Sequence, residues 1–276
     1  MKEKESRNNK RTLGNIVRGV LIIALVALIA YEGVMIYRDQ KEYSVATNEY
    51  ANLYEKYVES AEDDDTDEAQ KGMSIWQDAY PKLNINHSAL KEKNSDYIGW
   101  LYFPALSKVS YPVVKEQQID QYLYKTFEGT PNRAGCIFMD VLSDGSFCGL
   151  SDMVFGHNMK NGSMFGSLKT LYKSDKKDVL KDNPYIYVYT EDKIYKYRVF
   201  AYYTTVNGSD SYMEVTDHDK YDEYIKYIRR CSQIEIPEDI SFDEYPSLLT
   251  LSTCSGQSGS GRRFVVHSVK IETFDN

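Results

Sequence analysis

Leu248-Leu249-Thr250-Leu251-Ser252-Thr253-Cys254 is a run of apolar and β-favouring residues that ends on a cysteine. Eight residues follow, Ser255 to Arg262, mostly Ser and Gly, and then Arg263-Phe264-Val265-Val266 opens a second run of the same kind. Two such runs joined by a turn-rich loop read as antiparallel neighbouring strands. In that pairing Cys254 and Arg263 face each other, and opposed side chains lie about 5 Å apart at Cβ. A guanidinium so placed favours a thiolate, or holds a substrate oxygen that becomes negative.

Outward from this pair, short β-type runs recur at 97–103, 108–114, 134–140, 152–156, 185–190, 193–206, 247–253 and 263–271. Tyr185, Tyr187 and Tyr189 alternate with Ile186 and Val188, the period of a strand. Helical pieces are expected at 119–127, 163–172 and 220–231. In the last, Tyr221, Tyr224, Ile225 and Ile228 form one apolar stripe. Eight strands with few long helices predict a mainly β fold, an eight-stranded closed or nearly closed barrel.

The chain has 276 residues, 42% of them hydrophobic and 27% charged, enough apolar matter for one sizeable core plus accessory segments. Its 25 tyrosines suit strands and half-buried surfaces. The net charge of −8 argues against nucleic acid as a partner. That charge is uneven: residues 1–18 carry six basic and two acidic side chains, a net +4, so the remainder sums to −12. Val20 to Tyr31 is then apolar without a break, and 19–37 has Glu32 as its one charged residue. At about 1.5 Å per residue the segment reaches roughly the thickness of a bilayer core. Leu28-Ile29-Ala30 is a poor cleavage site, so an uncleaved signal anchor is expected, with the basic head 1–18 cytoplasmic and the rest exported.

From 38 to 83 the sequence predicts a polar helical stalk. Tyr43, Tyr50, Tyr54 and Tyr57 share one helical face, the acidic run 62–68 reads as a solvated linker, and a second helix is expected over 68–80. The β-rich domain is expected over 84–276.

The four cysteines, Cys136, Cys148, Cys231 and Cys254, form no C-x-x-C pair and no metal pattern with His87, His157, His218 or His267, so no metal or cofactor is expected. A disulfide between Cys136 and Cys148 across a hairpin is conceivable. The sixth residue past Cys254 is Ser260, which excludes a Cys-x5-Arg phosphatase loop, and no Gly-Lys-Ser/Thr follows the glycines. A nucleophilic cysteine pairs with a histidine. His157 closes the run 152–156 beside a turn-rich loop; His267 shares a strand face with Arg263. Spacing leaves both open.

Thr250-Leu251-Ser252-Thr253-Cys254 matches the TLxTC motif of sortases, and an arginine opens the next strand as in that family. Val154-Phe155-Gly156-His157-Asn158-Met159 with Gly162-Ser163-Met164-Phe165 resembles the sortase histidine segment in its class B form. Asp96-Tyr97-Ile98-Gly99-Trp100, Tyr111-Pro112-Val113-Val114 and Ile137-Phe138-Met139-Asp140 also read like class B sortases, in the same order. The resemblance implies a sortase-type barrel with N-terminal helices and a helical insertion, here 220–231, before the nucleophile strand. It implies Cys254 as nucleophile, His157 as general acid and base, and Arg263 as oxyanion or substrate holder. Substrate contacts are implied for Ser252, Thr253, Leu123 and Asn158. Some class B members carry an acidic residue two places after the cysteine; here that place is Gly256.

The activity so implied is a membrane-anchored transpeptidase. It cleaves a C-terminal sorting signal of exported proteins, holds the acyl group as a thioester and passes it to an amine of the cell wall or a pilin. Two other readings use the same residues: a cysteine peptidase with water as acceptor, and a sortase-like binding domain with an inert thiol.

Overall fold

The structure, a computed structural model, describes residues 2–60, 80–172, 179–181, 183–255 and 259–276, excluding the side chains of 2–14 and 60. The acidic run 62–68, the helix expected over 68–80 apart from Tyr80, and Gly256 lie outside the described residues. The chain divides into two units, Met1–Val45 and Ala46–Asn276. The first is helical. Helix α1 is assigned over Lys2–Tyr57, and from Asn15 it is long and apolar enough to cross a membrane.

In the second unit the end of α1 leads into β1 (Val58–Ser60), which pairs antiparallel with β2 (Leu83–Ile85). The short helix α2 (His87–Lys93) follows, capped by the Asn86 side chain, which accepts from Ala89 N. Then come β3 (Tyr97–Tyr102), β4 (Ser110–Lys115), β5 (Ile137–Met139), β6 (Ser151–Phe155), β7 (Tyr185–Tyr189), β8 (Lys193–Val206), helix α3 (His218–Cys231), β9 (Leu248–Cys254) and β10 (Arg262–Asp275). All eight sequence-predicted strands are present, with boundaries shifted by a few residues. They close a barrel in the order β10-β8-β7-β3-β4-β5-β6-β9.

Two of its pairings, β4 with β5 and β6 with β9, are parallel. A parallel neighbour cannot be reached by a tight turn, so each needs a long crossover. The first of these connections, 116–136, carries no barrel strand, whereas the second, 156–247, includes the barrel strands β7 and β8 and then helix α3 before it reaches β9. The first was expected to be helical over 119–127. It is a series of turns instead, because Asp120 adopts φ +63, which a continuing α-helix does not allow. Over 163–172 the helix is reduced to a 3-10 segment, Leu168–Tyr172, after Met164 at φ +52. Leu83–Ile85 and α2 were not anticipated.

Trp100, fully buried on β3, anchors the core and gives its indole N–H to Ser110 Oγ at 3.0 Å. Tyr54, near the end of α1, packs on the same ring at 6.0 Å between centroids, and Tyr50 gives its hydroxyl to the Gly135 carbonyl at 2.8 Å. Helix α3 starts at Asp217, whose side chain accepts from Lys220 N, and ends with Arg229 and Arg230 in its last turn, which complements the helix dipole. Its stripe of Tyr221, Tyr224, Ile225 and Ile228 packs on Phe200, Tyr203, Leu248, Val265 and Val269.

The same helix settles His267. The ring is fully buried, 5.1 Å from Tyr203 and 5.9 Å from Tyr224 between centroids, with Nδ1 2.9 Å from Thr250 Oγ1. Its Nε2 has no hydrogen-bond partner among the described residues. Burial pushes its pKa down to about 3, so it is a neutral core residue. All four cysteines are free. Cys136 is buried, and Cys148 is exposed with its sulfur 3.2 Å from Lys270 Nζ, so the conceivable bridge between them is absent.

Because the folded His267 resists protonation, the unfolded chain binds that proton first. The stability His267 allows is complete above pH 6.5 and is lost as pH falls toward 3. His267→Gln removes the titration. Wild type should therefore lose stability relative to this variant between pH 7.5 and pH 4.5, measured as the difference in denaturant midpoints at each pH. A pH-independent difference would refute the assignment.

Candidate active site

The parallel register of β6 and β9 runs from Ser151↔Leu248 to Phe155↔Ser252. Two residues further along each chain stand His157 and Cys254, so the register sets them level at the strand ends. The pairing is carried past Phe155 by Gly156 N donating to the Ser252 carbonyl (3.1 Å) and Thr253 Oγ1 donating to the Gly156 carbonyl (2.7 Å). Gly156 is required there: a Cβ would meet Ile137 Cδ1 at 2.5 Å and the Phe165 ring at 2.8 Å. On the other side of β9, Arg263 is the antiparallel partner of Cys254, as the spacing predicted. Its Nη1 lies 3.2 Å from Cys254 Sγ. The neighbouring Arg262 is exposed, and its carbonyl accepts from Ser255 N. Cys254, His157 and Arg263 thus lie along three adjacent strand ends and line one cleft of about 400 Å³.

His157 is half-buried. Its Nε2 is 2.7 Å from the Leu123 carbonyl. A carbonyl can only accept, so Nε2 carries the hydrogen and Nδ1 is the nitrogen that gains and loses the proton. Leu123 belongs to the 116–136 crossover, held close by Gly135. At Gly135, φ is +61, and a Cβ would fall 2.5 Å from the Leu123 carbonyl oxygen and 3.1 Å from His157 Cδ2. Burial lowers the His157 pKa below its ordinary value and the charge on Arg263 lowers it further, while the bond to Leu123 opposes both.

The other sequence-predicted contacts divide. Leu123, Ser252 and Thr253 line the cleft. Ser252 is fully buried, with its Oγ 2.9 Å from the Tyr212 hydroxyl. Asn158 is not part of the lining; its Nδ2 donates to the Cys254 carbonyl at 2.8 Å and so ties the two strand ends together. Sequence reasoning missed Tyr212, on the 3-10 turn Asp210–Tyr212, which stacks on Phe155 at 6.2 Å and 9°. It also missed Glu116, Asp120, Asp140 and Asn207 in the lining. No local pattern marks them, since each reaches the cleft by a crossover or a strand end.

The sortase-domain family model matches residues 101–271. Among curated proteins, sortase B of Listeria monocytogenes is 28% identical over 185 residues, 67% of this chain and 73% of its own length. Sortase B of Staphylococcus aureus is 25% identical over 257 residues, 91% and 94% of the two chains. The crystal structure of Bacillus anthracis sortase B superposes with a TM-score of 0.63 at 26% identity, covering 84% of this chain and 99% of the other. The structure of a Staphylococcus aureus sortase B–substrate complex shares the fold, with a TM-score of 0.65 at 22% identity over 84% and 99%. The chain belongs to the sortase family of cysteine transpeptidases, and the relatives it matches are of class B.

Gly135→Ala should strain the backbone and push the Leu123 carbonyl off the imidazole. A stability loss of about 2 kcal/mol is expected in denaturant unfolding. The His157 ring resonances should also move in NMR spectra of the folded variant, and an unmoved ring would show that the Leu123 contact does not orient it.

Proposed function

We propose that this protein is a membrane-anchored transpeptidase in which Cys254 is the nucleophile, His157 the general acid and base, and Arg263 the oxyanion holder. The observation that carries the reading is the contact of Arg263 Nη1 with Cys254 Sγ in the cleft that also receives His157. Residues 1–18 form the cytoplasmic head, 19–37 the span, 38–83 the stalk with its packed helix end, and 84–276 the exported catalytic domain. The basic-then-apolar order of the head and the length of α1 support that topology.

The Cys254 thiolate attacks the carbonyl carbon of the scissile peptide bond in a sorting signal. An S–C bond forms, and the carbonyl electron pair moves onto oxygen beside the Arg263 guanidinium. The oxyanion collapses, the C–N bond breaks, and the leaving amine takes the proton from His157 Nδ1. The resulting thioester is attacked by a second amine, of a cell-wall precursor or a pilin. His157 Nδ1 accepts the proton that this amine loses, an amide forms, and the thiolate is released. Ser252, Thr253 and Leu123, in the lining, contact the peptide. Asn158 supports the site from behind by holding the Cys254 carbonyl.

In this scheme His157 must be charged while Cys254 is ionised. At pH 7 a free histidine is about one-quarter protonated, and the lowered pKa of His157 reduces that fraction. Turnover should be slow, with a bell-shaped pH dependence of kcat/KM: the thiolate is lost on the acid side and the imidazolium on the alkaline side. Activity rising steadily to pH 10 would remove His157 as the acid.

Incubation with a sorting-type peptide should give an acyl-enzyme on Cys254 by intact mass spectrometry. An added amine should then convert it to amide product. Cys254→Ala should retain the fold and form no adduct. Release of the free acid at a rate indifferent to amine would make the protein a peptidase, and an adduct persisting in Cys254→Ala would move the chemistry to another thiol.

A further inference from the structure

The His157 ring leans on a backbone atom, the Leu123 carbonyl, so whatever holds that carbonyl acts on the ring. The carbonyls on either side of it are taken by the return arm of the same crossover. Cys136 N donates to the Tyr122 carbonyl at 3.1 Å, and Asn132 N donates to the Tyr124 carbonyl at 3.0 Å. The Leu123 carbonyl between them is left for the imidazole.

The return arm is held in turn by one turn of α1. Tyr50 is 6% exposed; its hydroxyl donates to the Gly135 carbonyl at 2.8 Å and accepts from Phe127 N at 3.3 Å. One hydroxyl therefore ties two separate points of the crossover to the helix. The Gly135 carbonyl and the Cys136 N–H belong to a single peptide unit, which is planar, so pinning the oxygen also aims the N–H that grips Tyr122. Hydrogen bonds in series through a peptide polarise one another, which strengthens the second. One residue earlier, Glu49 Oε1 accepts from Glu128 N at 2.9 Å.

We propose that Glu49 and Tyr50 position His157, with the Tyr50 hydroxyl as the principal hold. The path runs from Tyr50 to the Gly135–Cys136 peptide, from there to Tyr122, and through the adjoining Leu123 carbonyl to His157 Nε2. It fixes which nitrogen the ring presents to the cleft. Tyr50 is not part of the cleft lining, so it acts through the ring and touches neither sulfur nor substrate. The expected effect on rate rests on the transpeptidase reading above; the effect on the ring does not. Tyr50 also docks α1 through its ring, edge-on to Tyr111 at 5.4 Å between centroids. Tyr50→Phe keeps that packing and removes the hydroxyl alone, which separates positioning from docking.

The full chain in detergent, with isotope-labelled histidine, is compared as wild type, Tyr50→Phe and Tyr221→Phe, and His157→Gln assigns the His157 signals in NMR. Tyr221 supplies the control: its hydroxyl also donates to a backbone carbonyl, that of Pro246 at 2.7 Å, at the far end of β9 from Cys254. In wild type the neutral His157 ring should carry its hydrogen on Nε2. In Tyr50→Phe the two tautomers should mix. The midpoint of the ring's titration should fall, because the Leu123 bond supports the charged form against burial and the Arg263 charge. Acylation of Cys254, read by mass spectrometry with the best member of a random short-peptide library, should slow about tenfold with KM little changed. Tyr221→Phe should lose comparable stability in denaturant and alter neither the ring nor the rate. An unmoved ring in Tyr50→Phe, an equal movement in Tyr221→Phe, or a moved ring with unaltered acylation would each overturn the proposal. If no peptide acylates wild type, the transpeptidase reading fails, and the ring signals still decide the positioning. Should Tyr50→Phe not fold, Glu49→Ala takes its place, with a smaller movement of the same sign expected; an unmoved ring there would end the proposal.

Discussion

The parallel pairing of β6 with β9 is the constraint on which the site depends. It matches Phe155 with Ser252, and two residues on it delivers an imidazole and a thiol level with each other on adjacent strands. Neighbouring strands lie about 4.8 Å apart, so no flexible loop is needed to bring the groups together. A slip of one residue would turn one side chain to the other face of the sheet. Several contacts guard the register. Gly156 admits Ile137 and Phe165, Thr253 bonds back to Gly156, and Asn158 bonds across to the Cys254 carbonyl.

Parallel pairing also creates the crossovers, and these supply what strands alone cannot. A strand end offers one side chain in a given direction. The crossover after β4 brings a backbone carbonyl to the outer nitrogen of His157, and that contact fixes which nitrogen exchanges the proton. The crossover after β6 brings Tyr212 onto Phe155 and Ser252, which closes one part of the cleft. The bond between Tyr212 and the buried Ser252 hydroxyl rigidifies the lining, because Ser252 would otherwise bury an unsatisfied polar group.

Coverage by helix α3 separates structural from chemically available groups on one sheet face. Arg263 and His267 lie four residues apart on β10. The packing of Tyr224 and Tyr203 over His267 withdraws it from solvent and keeps it neutral, whereas Arg263, at the strand end beyond the helix, stays half-exposed beside the sulfur. Distance along a strand does not distinguish these fates; the element packed above it does.

By itself the sequence determined the eight strands, because period-two alternation and bounding turns are local. It also determined the opposition of Cys254 and Arg263, which follows from one hairpin, and the apolar stripe of α3. The family resemblance of the 250–254 and 154–165 segments was legible for the same reason, being written in contiguous residues. What only the tertiary structure decided was where the two histidines lie: both satisfy spacing, but His267 is buried beneath α3 while His157 lines the cleft with Cys254. The Leu123 carbonyl could not be read either: a backbone atom carries no residue-type signal, and its position rests on the close approach allowed by Gly135. The turns of 119–127, where a helix is expected from sequence, follow from a positive φ at Asp120 that no local pattern marks. Likewise the carboxylates of Glu116 and Asp140, far apart in sequence from the sulfur, meet it in one cleft because barrel closure brings their strands to the same end.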